Sequence, residues 1–393
     1  MRVIGLISGT SVDAIEAAVA DLHTDRGVVV LRPLGHLSVA YDPALRQAIL
    51  ATLPPASCSM EQVARLDTEI GIAFAEAAAR ANLELAGGRA ELVASHGQTA
   101  FHWVEAGRSR GTLQLGQPAW IAERTGLSVV SDLRARDIAA GGQGAPLVSL
   151  LDSMLLGGGP PRAALNLGGI ANITVVAGER PPVAFDTGPA NALLDAWIQA
   201  STGGAEAIDL DGWRAAQGTA DQVLLEHLLA DTYYRRPPPK STGRELFSLA
   251  RLRTAVAEAG VEPALDDMLA TLTALTARTV ADACRRFDVE EVVAAGGGTR
   301  NRTLMARLRE ELGPIGLRSI DEFGIPALAK EAYAFALIGF MTASGWPATI
   351  PSATGARHPS LLGSITPGAN PVTPPARTRP APSRLVIRPA GLS

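Results

Sequence analysis

The stretch Asn166-Leu167-Gly168-Gly169-Ile170-Ala171-Asn172-Ile173-Thr174 decides how the chain is read. Apolar and branched residues flank a glycine pair, so a strand runs in, turns without side chains and returns as a second strand. Backbone NH groups in such a turn can face an anion. Working outward, strands are expected over 162–167, 170–176 and 183–185, a short meander. The N-terminus repeats that layout with strands Val3 to Ile7, Glu16 to Leu22 and Val28 to Arg32, and Ser8-Gly9-Thr10-Ser11-Val12-Asp13 forms its first turn. There Gly9 lets the main chain approach a phosphate, two hydroxyls donate and Asp13 is placed to hold Mg2+ through water, although Gly, Ser and Asp also build ordinary hairpin turns. A third glycine turn, Gly296-Gly297-Gly298-Thr299-Arg300-Asn301, follows the apolar run Val292 to Ala295, and its bare backbone would admit a flat nucleoside. Two strand-rich openings in one chain predict a duplicated α/β architecture.

Between these turns the 3.6-residue spacing of Val63, Leu66, Ile70 and Phe74 predicts a helix over Met60 to Ala86. Further helices are expected over 118–125, 221–231, 247–259, 264–287, 301–312 and Pro326 to about Ala343, with strands at Glu91 to Ser95 and Ser128 to Ser131. The length of 393 residues suits two domains, and 47% hydrophobic against 19% charged residues suffices for two cores. A net charge of -4 argues against a nucleic-acid partner. The two lysines, Lys240 and Lys330, do not sit in a Walker A loop. Cys58 and Cys284 form neither a CxxC nor a zinc motif, which fits a reducing cytoplasm. The apolar run Ala332 to Met341 is too short to span a bilayer and no export signal opens the chain, so no membrane partner is expected.

The order of the turns, and six segments with them, carry a resemblance. Gly-Thr-Ser-x-Asp (9–13), Ser-His-Gly-Gln-Thr (95–99), 166–174, Phe-Asp-Thr-Gly-Pro (185–189), Pro-Lys-Ser-Thr-Gly-Arg-Glu (239–245) and Lys-Glu-Ala-Tyr-Ala-Phe-Ala (330–336) closely resemble the anhydro-N-acetylmuramic acid kinase family, over about 1–363. The resemblance implies a two-domain actin-like ATPase fold, a duplicated RNase H-like α/β arrangement with an interdomain active-site cleft. Domain I would comprise 1–130 plus 330–363, domain II 131–329, and 364–393 a flexible Pro-rich tail. It also implies an ATP- and Mg2+-dependent cytoplasmic phosphotransferase that phosphorylates 1,6-anhydro-N-acetylmuramic acid with hydrolytic opening of the anhydro ring during peptidoglycan recycling. Partners would be sugar and ATP, with a homodimer allowed.

Oxygen 6 of that sugar carries no proton, so a base must activate water instead. The resemblance implies Asp186 for that role; a helix N-cap is its other reading. ATP would be held by Gly9, Thr10, Ser11, Val12, Asp13, Ala14, Ile15 and Glu16, by Gly168, Gly169 and Asn172, and by Gly297, Gly298 and Asn301. Sugar contacts would come from His96, Gln98, Arg134 and Glu331. Arg134 would pair the lactyl carboxylate or else Asp132 or Asp137, and Glu331 would orient the sugar or else favour a helix dipole. Ala14 and Ala190 replace glycines usual in the family, and Ala14 is expected to resist a positive φ. Another anhydrosugar such as levoglucosan, or a non-catalytic nucleotide-switched protein, are the alternatives.

Overall fold

The computed structural model describes residues 1–393 except 10, 55, 239, 244–245, 373–379 and 389–393. The chain divides into two compact units, 1–155 with 329–393, and 156–328. The first unit opens with β1 (Arg2–Ser8), β2 (Ala14–Asp25), β3 (Val28–Ala40), β4 (Leu92–Glu105), β5 (Arg108–Leu115) and β6 (Ser128–Ser131). The second contains β7 (Arg162–Leu167), β8 (Ile170–Ala177), β9 (Arg180–Pro189), β10 (Glu291–Ala295) and β11 (Gly316–Ser319), after which β12 (Ser364–Thr366) and β13 (Arg384–Ile387) return to the first sheet.

The sheet orders carry the fold. In the first, β3-β2-β1 are antiparallel neighbours, and β4 and then β6 continue in parallel. In the second, β9-β8-β7 are antiparallel, and β10 and then β11 continue in parallel. Order and sense are the same, so the α/β core is duplicated, as the two-domain actin-like (duplicated RNase H-like) fold requires. The parallel pairs need helical crossovers, and the long helix Met60–Glu84 supplies one in the first unit. Ser59 starts it with a capping box to Gln62, and its stripe of Leu66, Ile70, Phe74, Ala78 and Ala81 buries one sheet face together with Ile4, Leu6 and Val93. Helix Lys330–Ala343 covers the other face, where a Cβ on Gly5 would overlap the carbonyl oxygen of Ala332. In the second unit the sheet packs on helices Leu265–Arg286 and Arg302–Leu312 through Leu165, Ile173, Val280 and Leu308.

Three expectations differ from the structure. Residues 131–155, assigned by sequence to the second domain, belong to the first unit, where Asp137 accepts hydrogen bonds from Gly144 N at 2.7 Å and Thr354 Oγ1 at 2.7 Å. The C-terminal segment is not a free tail at its described residues. Ser364–Thr366 pairs antiparallel with β6, and Arg384–Ile387 pairs in parallel with β3, burying Leu385. The reason is local: Leu385-Val386-Ile387 can satisfy an exposed sheet edge even when its flanks are proline-rich. Finally, β2 and β3 run well past their expected ends at Leu22 and Arg32. Among the described residues no helix is long and apolar enough to cross a membrane.

Candidate active site

In the first unit the β1–β2 turn is closed by Val12 N donating to Gly9 O at 3.2 Å. Val12 is buried with φ +55°, an unusual conformation for a β-branched residue. Ala14 opens β2 with no positive φ, and Ala190 has φ -130°, so neither alanine adopts the positive φ that a glycine would ease. A Cβ on Gly9 would meet nothing nearer than Ser11 Oγ at 4.0 Å, which leaves the backbone approachable there. Arg46, which sequence reading missed, latches the turn: its guanidinium donates to Val12 O at 3.0 Å and to Asp13 Oδ1 at 2.8 Å. The Asp13 carboxylate is otherwise exposed. Ile15 is buried and Glu16 accepts from Ser38 Oγ at 2.7 Å, so these two side chains serve the meander and do not face the turn. Thr10 lies outside the described residues.

His96 and Gln98 lie within β4, not in a turn, at a bulge where Gly97 has φ +71° and the register against β1 shifts. Gln98 is fully buried and donates to Gly9 O at 3.3 Å, tying β4 to the turn; its Oε1 has no partner among the described residues. Buried polar atoms of this kind normally find a hydrogen-bond partner. His96 packs on Phe335, with ring centroids 4.7 Å apart, and its Nε2 accepts from Arg134 Nε at 2.8 Å. That bond places the proton on Nδ1, which donates to Gly97 O at 2.9 Å. Burial, with the Arg134 charge beside it, pushes the imidazole down to about 3. His96 is therefore a neutral acceptor that aims Arg134, not the free sugar donor expected from sequence.

Arg134 precedes the short helix Ala135–Ala139 and pairs with neither Asp132 nor Asp137. Glu331 stands in the first turn of helix Lys330–Ala343. Burial raises its carboxyl above the ordinary range, against the opposing pull of Lys330 and Arg134. Beside it Lys330 Nζ meets Asp152 Oδ1 at 2.6 Å with both side chains almost fully buried, 3% and 6% exposed. The sequence singled out Glu331 but had no signal for this pair, because Asp152 lies in a helix whose apolar neighbours mask it.

In the second unit the β7–β8 turn uses Gly168 and Gly169 in an unexpected way. Neither has a positive φ. Their carbonyls accept from the start of helix Asn191–Ser201: Asn191 N and Nδ2 reach Gly168 O at 3.2 and 2.9 Å, and Ala190 N and Ala192 N reach Gly169 O at 3.0 Å each. The amides of Gly168 and Gly169 have no backbone acceptor among the described residues. Outward-facing amides are what an anion needs. The third turn packs directly on this one, since a Cβ on Gly298 would come within 2.7 Å of Leu167 Cβ, while one on Gly297 would meet nothing. Asn301 lies apart in role: its buried side chain caps helix Arg302–Leu312 by accepting from Leu304 N at 2.9 Å.

Asp186 lies in β9 and does not cap the following helix, whose N-cap is Ala190. Cross-strand register puts Asn166, Asn172 and Asp186 side by side on β7, β8 and β9. Their neighbours Leu165, Ile173 and Phe185 enter the core, so the three polar groups share the opposite face. An extra residue, Thr187, bulges β9 after Asp186. The segment 240–242 then clasps the aspartate: Thr242 N donates to Asp186 Oδ2 at 2.8 Å, and Asp186 N donates to Lys240 O at 3.1 Å. Asn166 and Thr242 were quoted within motifs but not singled out. Among the described residues no three His, Cys, Asp or Glu side chains gather to hold a metal ion.

A curated protein from Streptomyces coelicolor named anhydro-N-acetylmuramic acid kinase is 61% identical over 95% of this chain and 96% of its own. One of the same name from Streptomyces avermitilis is 59% identical over 98% and 100%. A solved ROK family glucokinase from Streptomyces griseus, in complex with glucose and AMPPNP, is 14% identical and covers 87% of this chain and 100% of its own, with a TM-score of 0.38. The family profile described as anhydro-N-acetylmuramic acid kinase matches residues 1–368, and the chain belongs to that family.

Proposed function

We propose that this chain transfers the γ-phosphoryl group of ATP to oxygen 6 of 1,6-anhydro-N-acetylmuramic acid while water opens the anhydro bridge, giving N-acetylmuramic acid 6-phosphate and ADP. Family membership and the relatives' name support the substrate. The observation that carries the chemistry is Asp186, an aspartate set on a bulged strand, held through one oxygen by a backbone amide and aligned with Asn166 and Asn172. Water attacks carbon 1 and gives a proton to Asp186; the bond between carbon 1 and oxygen 6 breaks, and oxygen 6 takes the γ-phosphorus as ADP leaves. The amides of Gly168 and Gly169 bind phosphate oxygens, and the bare backbone at Gly297 accepts the nucleoside.

Mg2+, when bound, neutralises charge on the transferring phosphate. Asp13 fits it: the carboxylate is exposed, Arg46 holds it through Oδ1, and Mg2+ commonly takes one or two carboxylates plus phosphate and water. On the sugar side Arg134, aimed by His96, pairs with the lactyl carboxylate, and Glu331 accepts from the sugar. The product would feed cell-wall recycling in the cytoplasm.

The test is an ADP-release assay on the intact anhydro sugar, on N-acetylmuramic acid with its free 6-hydroxyl, and on levoglucosan. The anhydro sugar should turn over fastest, and reaction in 18O-labelled water should place the label on carbon 1. A free-hydroxyl sugar that proves the better substrate would sink the water-activation reading.

A further inference from the structure

Behind Asp186, on the opposite side of β9, the second unit holds a cavity of about 270 Å³. Phe185 and Thr187, the strand residues that alternate with Asp186, form its floor, and helix Leu265–Arg286 forms one wall. Four cations line it, Arg235, Lys240, Arg278 and Arg286, against two carboxylates, Glu226 and Asp282. The carboxylates do not balance them. Asp282 is shared by Arg278 and by Arg285 outside the cavity, while Glu226 is in no ion pair among the described residues. Arg235 and Arg286 have no carboxylate partner among those residues either; Arg286 reaches only Tyr234 O at 3.5 Å. Lys240 is half-buried and bonds two carbonyl oxygens, those of Tyr233 at 3.0 Å and Tyr234 at 3.3 Å, with its ammonium 4.4 Å above the Tyr233 ring. Burial and the charges of Arg286 and Arg236 push that ammonium down to about 8.

Like charges gathered around a partly desolvated cavity repel one another, and an anion with several acceptor oxygens relieves that repulsion while taking several donors at once. We propose that this cavity is a second ligand site, separate from the Asp186 face, that binds a small dianionic phosphate group, either free or as a monoester. The site is linked to Asp186 through one short segment, 240–242. Lys240 lines the cavity, its carbonyl accepts from Asp186 N, and Thr242 two residues on donates to the Asp186 carboxylate. An anion that orders Lys240 therefore orders the clasp. Binding is independent of the proposed reaction; only an effect on turnover rests on Asp186 as the base.

The test saturates the full-length protein with a non-hydrolysable ATP analogue and the anhydro sugar, then titrates inorganic phosphate and, separately, methyl phosphate by calorimetry. Wild type should bind at least one of them, and Arg235→Ala/Arg286→Ala should weaken that binding about tenfold or more while circular dichroism shows it folded. Tighter binding of methyl phosphate assigns the source as a monoester, and tighter binding of inorganic phosphate assigns it as the free ion. Hydrogen exchange at the Thr242 amide should slow on addition of the anion in wild type and not in the double variant. Failure of both anions to bind, or equal affinity in the double variant, overturns the site. Loss of kinase activity with binding retained would count against the catalytic reading alone.

Discussion

The two sheets share one strand order but end in opposite kinds of turn. In the first unit three charged side chains are already paired with protein: Arg46 with Asp13, Arg134 with His96, Lys330 with Asp152. In the second, the glycine pair gives its carbonyls to a helix start and leaves its amides without backbone acceptors among the described residues. The difference teaches which partner each sheet awaits. On the proposed reading, Arg134 and the elements around it hold fixed positions for the sugar and its carboxylate. Unclaimed amides need an anion to complete them.

The sharpest way to break this contrast is to remove the one ionisable group on the polar row of the second sheet. Asp186→Asn keeps the shape and the acceptor for Thr242 N but cannot take a proton. Turnover on the anhydro sugar should fall by about 10^2- to 10^4-fold, with ATP affinity within about twofold of wild type because the amides of 168–169 are untouched. Steady-state ADP release and calorimetric nucleotide titration check both halves. Near-normal turnover would remove Asp186 from the mechanism.

The next effect concerns the first unit, whose site depends on how closely helix Lys330–Ala343 lies on β1. Gly5→Ala places a methyl group on the Ala332 carbonyl, so helix or strand must shift. Overpacking of this kind costs about 1–3 kcal/mol. The shift would carry Glu331 and the Lys330–Asp152 pair with it, raising KM for the sugar more than KM for ATP. Urea unfolding and the two KM values test this, and an unchanged sugar KM in a destabilised variant would separate packing from the site.

A smaller effect should be readable as a pH dependence. His96 in the folded protein is pushed from 6.5 to about 3, so the unfolded chain binds a proton there that the folded chain refuses between those values. Its contribution to stability is therefore complete above about 6.5 and declines as pH falls toward 3, by at most roughly 1.4 kcal/mol per pH unit. His96→Gln removes that slope. Unfolding free energies at pH 7.0, 6.0 and 5.0 should converge between wild type and variant as pH falls; parallel lines would show that the imidazole is not held neutral.

Much of this contrast was legible in the sequence, for reasons that can be named. Both meanders announce themselves because apolar runs bounded by Gly, Ser and Asp have few alternatives, and Asn166 to Thr174 carries strand, turn and strand in nine residues. Asp186 and Glu331 were singled out through motif position. What escaped was set by tertiary partners. The Lys330–Asp152 pair joins distant segments, and the Arg46 latch reaches back from a helix to the turn. His96 was misread as a donor because only the fold brings Arg134 to its Nε2. The turn strain expected at Ala14 falls instead on Val12, since the phase of β2 places Ala14 in the strand. β5 was missed because Arg108-Ser109-Arg110-Gly111 reads as loop; it forms by pairing with the extended end of β4.

The last expected effect is the smallest on catalysis and concerns the edge of the first sheet. Among the described residues the second sheet ends at β9 with no added strand, whereas the first carries β13 in parallel on β3, with Leu385 only 4% exposed and Arg388 N donating to Leu31 O at 2.9 Å. The family match ends at residue 368, short of this strand. Truncation after Val372 keeps β12 but removes β13. Turnover should stay within about twofold, because β3 carries none of the proposed site residues. Stability should fall by about 1–3 kcal/mol from re-exposing Leu385 and its neighbours. The freed edge from Val28 to Leu31 should also promote self-association, visible as a rise in mass by light scattering with concentration. A truncated protein that keeps full stability and stays monodisperse would show that β13 contributes nothing to the sheet, and one that folds but loses turnover would show that the edge communicates with the site.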